Sequence, residues 1–258
     1  MKVVILKTED EVAQYSADFI SHSVTTNKNA VLGLATGSSP IACYQKLIQA
    51  HQRAQLSFKH CTTFNLDEYI GICPDNDQSY RQFMNEQLYK HIDIPLLNTH
   101  IPNGSSSDLE HEAKCYEDKI KAFGGIDLQL LGIGRNCHIG FNEPGSSLSS
   151  RTRVKSLSND TILANSRFFK PEEFQPSSAL TMGIGTILEA KKILLIATGE
   201  QKALAIKHCV EGPISAFFPA SALQQHADST IVIDEAAAQL LSSRDYYMLE
   251  EDRRKQAS

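Results

Sequence analysis

Short apolar runs alternate with longer amphipathic stretches along the whole chain. Lys2 to Leu6, Ala30 to Leu34, Cys61 to Tyr69, Leu128 to Leu131, Ala179 to Met182, Ile193 to Ala197 and Thr230 to Ile233 each read as a strand. Runs this short, apolar throughout and bounded by turn residues, suit parallel strands buried on both faces. The intervening stretches carry helical spacing. Thr8-Glu9-Asp10-Glu11 forms a capping box, and Val12, Tyr15, Ser16, Phe19 and Ile20 follow on one helical face. Further helices are predicted over 41–53, over 79–89 with Tyr80, Phe83, Met84 and Leu88 as the buried face, and over 109–123, ending at Gly124-Gly125. Others follow over 158–169, after Gly183, and in the charged C-terminal segment. The stretch 98–107 reads as a loop with a turn at Asn103-Gly104, and 171–178 as a mobile polar connection. Strand-then-helix alternation predicts an α/β fold: a doubly wound, mostly parallel, Rossmann-like sheet with helices on both faces. With no repeat, low-complexity tract or linker, residues 1–258 are expected to form a single domain.

Composition narrows the function. Hydrophobic residues are 41% and charged residues 21% of the 258 positions, as in ordinary globular chains. A net charge of -5 offers no positive field to a nucleic acid. No stretch approaches the ~20 apolar residues of a membrane span. The apolar start, Met1 to Lys7, is too short for a signal peptide and runs into Glu9, Asp10 and Glu11. Cys43, Cys61, Cys73, Cys115, Cys137 and Cys209 form no C-x-x-C pair, so free thiols and a cytoplasmic location are expected. Cys137 lies within a Gly-rich turn and stays open between nucleophile and packed thiol.

Chemistry is expected where strands end, because open α/β sheets bind ligands beyond their carboxyl edge. After Leu131 come Gly132, Gly134, Asn136, His138, Asn142 and Glu143. A His beside a carboxylate can move protons near neutral pH, while a Gly-rich turn with a hydrogen-bonded His is the plainer reading. After Leu34 comes Thr36-Gly37-Ser38-Ser39-Pro40, opening a helix. Free N–H groups at such a helix start favour a phosphate; the alternative is an ordinary Ser cap. The absence of G-K-[ST] excludes the nucleotide P-loop. Asp67 and Glu68 end a strand and face opposite ways, so only one can serve as a base in a shared cleft; a solvated turn is the alternative. Lys202, at a helix start, opposes the helix dipole, a conflict that a bound anion resolves. Arg151, Arg153 and Lys155 form a basic cluster that reads, alone, as a solvated face.

Six motifs in order, over 34–40, 64–69, 132–144, 150–153, 164–169 and 201–204, resemble the glucosamine-6-phosphate deaminase family, along nearly the whole chain. The resemblance implies conversion of glucosamine 6-phosphate and water to fructose 6-phosphate and ammonia, without metal or organic cofactor. It implies a small-molecule sugar phosphate as partner and a homo-oligomer, a hexamer in longer members. By the same resemblance, Thr36, Gly37, Ser38, Ser39, Arg167 and Lys202 bind the substrate phosphate. His138 opens the sugar ring, supported by Glu143 and held by Asn136, and Asp67 carries the C2 proton to C1. Ser146, Arg153, Lys155 and Tyr246, with Tyr247 as the neighbouring choice, match an allosteric site for N-acetylglucosamine 6-phosphate, and 153–182 matches a mobile lid. Two positions depart from the Asp-Gly-His of many members: Asn136 cannot stabilise an imidazolium by charge, and Cys137 replaces a residue free to take positive φ. A galactosamine-6-phosphate deaminase is the near rival. A 6-phosphogluconolactonase and a sugar-phosphate sensor are the distant ones.

Overall fold

The computed structural model describes residues 1–166 and 174–257. Its strands are β1 (Lys2–Leu6), β2 (Val31–Leu34), β3 (Thr62–Asn65), β4 (Asp67–Tyr69), β5 (Thr99–His100), β6 (Leu128–Leu131), β7 (Arg153–Ser156), β8 (Ser178–Thr181), β9 (Lys192–Ala197) and β10 (Ser229–Asp234). Its α-helices are α1 (Glu9–Thr26), α2 (Ile41–Gln52), α3 (Tyr80–Gln87), α4 (Leu109–Ala122), α5 (Asn159–Ser166), α6 (Ile184–Leu188), α7 (Ala203–Val210) and α8 (Arg244–Ala257).

Seven strands form one parallel sheet in the order β1-β10-β9-β6-β2-β3-β5. Its strands bury both faces, as their unbroken apolar runs require. Leu194, Ile196 and Val232 join Val12, Ile20 and Tyr44 on one side; Ile193, Leu195 and Ile231 join Tyr116, Ile187 and Ile206 on the other. The chain moves outward from β2 through β3 to β5, then returns to β6 and moves the other way through β9 to β10. The direction of winding reverses between β2 and β6, and at that point loops leaving adjacent strands part and open a crevice.

Local signals fix several elements. Thr8 caps α1, its hydroxyl accepting from the Glu11 N–H at 3.2 Å, while the Glu11 carboxylate reaches back to the Lys7 N–H at 2.7 Å. Gly124 and Gly125 both take φ of +84°, turning the chain after α4.

The sheet plan differs from expectation in one respect. Cys61 to Tyr69 is not one strand. Leu66 donates to Leu34 O, extending the main sheet, but its own carbonyl accepts from Met182 N at 2.7 Å. The chain there changes partners, and Asp67–Tyr69 pairs antiparallel with Thr181–Ala179. A second sheet, β4-β8-β7, results. Two further strands lie where the sequence predicts none: β5 in the 98–107 stretch, and β7 in the basic cluster. Of the segment 153–182, the described parts are β7, α5 and β8, with β7 and β8 paired to each other.

Candidate active site

A cleft of about 910 Å³ opens at the carboxyl ends of the central strands. Six chain segments meet there: the 35–39 loop after β2, Leu66-Asp67 after β3, Tyr80 at the start of α3, the 132–141 loop after β6, Thr161 and Leu163 of α5, and Gln201-Lys202 after β9. Thr36, Gly37, Ser38, Ser39, Asp67, Asn136, His138 and Lys202 all line it, so most of the predicted residues come together. Arg167 lies outside the described residues.

The 36–39 loop joins β2 to α2 along one wall of the cleft. Gly37 takes φ of +87°, a conformation that favours glycine. No side chain caps α2, which begins after Pro40, so its first-turn N–H groups have no hydroxyl competitor. The plain reading of a Ser cap is thereby corrected. Lys202 sits at the N-cap of α7 after a short 3-10 turn, and its Nζ donates to Ile133 O at 2.6 Å. That bond ties the β9–α7 connection to the end of β6 and holds the cation at the cleft.

Asp67 and Glu68 part as alternation requires. Glu68 turns away and accepts from the backbone N–H groups of Tyr69, Tyr80 and Arg81, satisfying the start of α3. Asp67 turns into the cleft and is 5% exposed. Burial, then the nearby Glu68 charge, push its carboxyl up to about 8, against hydrogen bonds from Thr181 and the Phe141 N–H. A carboxyl so placed can both take and return a proton near neutrality.

His138 and Glu143 form the second group. His138 Nδ1 lies 3.7 Å from Glu143 Oε2, an ion-pair separation rather than a hydrogen bond, and Nδ1 is buried without a hydrogen-bond partner. Burial alone would raise the Glu143 carboxyl, but contacts from His138, Thr161 and Asn136 outweigh it and hold it at about 2. Asn136 holds His138 by a hydrogen bond, as expected, but through the backbone, and it also reaches Glu143. Its Nδ2 donates to Glu143 Oε2 at 2.7 Å, and its Oδ1 accepts from the His138 backbone N–H at 3.3 Å. It fixes the carboxylate and the loop rather than the imidazole itself. Gly134 is required beneath the ring: a Cβ there would lie 2.4–2.5 Å from three ring atoms of His138.

Cys137 takes φ of +70°, the conformation its replacement of Gly called into question. Its side chain is 1% exposed and its Sγ donates to Ala205 O at 3.5 Å. Burial pushes the thiol up to about 12, so it packs as a neutral group against α7 and is no nucleophile.

The remaining predicted residues sit away from the cleft wall. Ser146 is 2% exposed, its hydroxyl donating to Glu143 O at 2.7 Å. Arg153 Nη1 donates to Asn142 Oδ1 at 2.8 Å, and Lys155 lies two residues further along β7. Tyr246 is exposed on α8, edge-on to Tyr247, and α8 packs against β1 at one end of the main sheet. Sequence reasoning missed Arg135, Thr161 and Gln201, which line the cleft, and gave Tyr80 only a packing role. Of these, Thr161 carried a signal, since it stands three residues after a Ser at a helix start.

Fold and site define a doubly wound α/β protein whose cleft is lined by the buried Asp67 carboxyl, the 36–39 loop, Lys202 and His138, which is paired with Glu143. The chain belongs to the family of glucosamine-6-phosphate isomerases and 6-phosphogluconolactonases, whose model matches residues 7–232. It is 56% identical over 247 residues to the glucosamine-6-phosphate deaminase of Shewanella woodyi, covering 96% of this chain and 94% of that one. The enzyme of the same name from a Marinomonas species is 55% identical, covering 99% and 97%. A solved monomeric glucosamine-6-phosphate deaminase superposes with a TM-score of 0.91 at 48% identity, covering 93% of this chain and all of that one. The 6-phosphogluconolactonase of Trypanosoma cruzi shares the fold, with a TM-score of 0.74 at 20% identity. Among the described residues no helix is long and apolar enough to cross a membrane.

Proposed function

We propose that this chain converts D-glucosamine 6-phosphate and water to D-fructose 6-phosphate and ammonia. The observation that carries the reading is Asp67, a buried carboxyl held at about 8 in the same cleft as the 36–39 loop and His138, whose ring faces Glu143. The 35–39 loop and Lys202 hold the phosphate, with Arg167 as the bidentate ligand implied by the family resemblance. His138 shuttles a proton between the ring oxygen and the C1 hydroxyl, opening the ring to the aldehyde. Glu143, ionised at every working pH, steadies the imidazolium during that step. Asp67 then removes the C2 proton, giving an enolamine, and returns a proton to C1, giving an iminium at C2. Water adds to C2, and ammonia leaves as the ketone forms. The cationic amine of the bound sugar lowers the Asp67 carboxyl from its high resting value, so binding itself ionises the base.

Six unpaired thiols and a sugar-phosphate substrate fit a cytoplasmic enzyme. The regulatory site is Ser146, Arg153 and Lys155, with Tyr246 supplied from another subunit of a hexamer. Its support is the contact of Arg153 and Ser146 with the 142–143 turn that leads to Glu143. Sigmoidal kinetics relieved by N-acetylglucosamine 6-phosphate are expected; a monomer in light scattering with hyperbolic kinetics contradicts both the assembly and the regulation. The catalytic reading is tested by assaying ammonia and fructose 6-phosphate from glucosamine 6-phosphate and from galactosamine 6-phosphate. Product from the first alone is expected. Product from the second alone supports the galacto rival, and none from either overturns the deaminase reading.

A further inference from the structure

Glu143 has two carboxylate oxygens, and they answer to different parts of the chain. Oε2 accepts from Asn136 at 2.7 Å and faces His138 Nδ1 at 3.7 Å. Oε1 accepts from the hydroxyl of Thr161 at 2.5 Å, eighteen residues away on α5, and from the Ser158 N–H at 3.4 Å. Thr161 is itself set by the start of that helix. Ser158 Oγ donates to Thr161 Oγ1 at 3.0 Å and accepts from the Thr161 N–H at 3.3 Å. A chain of hydroxyl donors therefore runs from the α5 N-terminus into the carboxylate: Ser158 to Thr161 to Glu143. Thr161 is 5% exposed, and the charge-assisted bond it makes is shielded from water.

A carboxylate is rigid and planar, so whatever grips Oε1 also sets where Oε2 lies. His138 Nδ1 is buried without a hydrogen-bond partner, so the direction of Oε2 decides whether the imidazole gains one. We infer that Thr161 is a positioning residue for the reaction, acting through Glu143 to aim its second oxygen at His138. This rests on the proposed roles of His138 and Glu143 in ring opening. The inference assigns α5 a function its sequence does not advertise: it is the far anchor of the acid–base pair, joined to it by one hydroxyl. Asn136 is the near anchor, and the two grip opposite oxygens of one group.

The test is a double-mutant cycle in the whole enzyme, using Thr161→Val, Thr161→Ser, Glu143→Gln and the Thr161→Val/Glu143→Gln pair, with ammonia release as the assay. Valine keeps the shape and removes the donor; serine keeps the donor and removes the methyl group. Loss of one hydrogen bond to a charged group corresponds to roughly a tenfold to hundredfold effect. Thr161→Val is expected to lower kcat by that factor with KM for the sugar phosphate unchanged. Thr161→Ser should restore kcat to within about threefold of the parent. In the Glu143→Gln background, Thr161→Val should have no further effect, because the group through which it acts is already altered. Equal loss in the valine and serine variants, a rise in KM with kcat intact, or full additivity with Glu143→Gln would each overturn the inference. Failure of the deaminase reading looks different: the parent enzyme itself would then release no ammonia.

Discussion

Asp67→Asn separates the chemistry of the proposed base from its effect on the fold, because the two should move in opposite directions. The Asp67 carboxyl titrates at about 8 in the folded chain, against an ordinary value of 3.8. A folded value above the unfolded one means that the proton on Asp67 stabilises the fold. That stabilisation is complete below about pH 4 and is lost as pH rises through about 8. A difference of about four units, at about 1.4 kcal/mol each, sets a ceiling of roughly 6 kcal/mol on the cost of the buried charge at alkaline pH. If a third of it is realised, about 2 kcal/mol, a chain of this length should gain roughly 4–8 °C in Tm at pH 8.5 when Asn removes the charge. Asn can still accept from Thr181 and from the Phe141 N–H, so the neighbours remain satisfied. The gain should shrink steadily as the melt is repeated toward pH 4. Activity should move the other way: exchange of the C2 proton with deuterated solvent should fall at least ~10²–10⁴-fold. Differential scanning calorimetry across pH and deuterium exchange by NMR read the two quantities. Retained exchange would assign the base elsewhere. A stability gain independent of pH, or a loss, would refute the burial argument.

Other perturbations follow from single contacts. Gly134→Ala should displace the His138 ring and lower kcat at least ~10²-fold with the fold intact by circular dichroism, since a misplaced acid–base group loses most of its effect; a normal rate would mean the loop yields freely. Asn136→Asp sets a second carboxylate against Glu143 Oε2, so it should raise the Glu143 carboxyl and shift the acid limb of kcat/KM to higher pH; an unmoved limb contradicts the assigned contact. Iodoacetamide at pH 8 should label Cys73 and Cys115 in the native protein and spare Cys137, as peptide mass mapping would show; early labelling of Cys137 would contradict its packed, protonated state. Lys202→Met should weaken competition by inorganic phosphate about tenfold or more, through loss of a charged ligand; unchanged inhibition would move the anion site elsewhere.

The sequence was most legible where a local rule decides the outcome. Thr8 and Glu11 announce the start of α1, and period-two alternation sends Asp67 and Glu68 to different tasks before any contact is known. Strand ends pointed to the cleft because parallel sheets place their loops there. What escaped was set by distant partners. Nothing in the unbroken run from Cys61 to Tyr69 marks Leu66 as the residue where the chain leaves one sheet for another; the pairing with Thr181, over a hundred residues on, decides it. β5 spans only Thr99 and His100, too short to show alternation. Asn136 holds His138, as its place in the loop suggests, but its second bond, to the Glu143 carboxylate, depends on the path of the loop and is not written in the local sequence. Thr161 shows locally only its place three residues after Ser158 at a helix start; its bond to Glu143 is not legible because that partner belongs to another element.

The most direct measurement is product analysis with the purified chain and glucosamine 6-phosphate, following ammonia and fructose 6-phosphate in one reaction. The two should appear in equal amounts, and Asp67→Asn should abolish both. Absence of ammonia from either hexosamine phosphate, with the fold intact, would contradict the assignment.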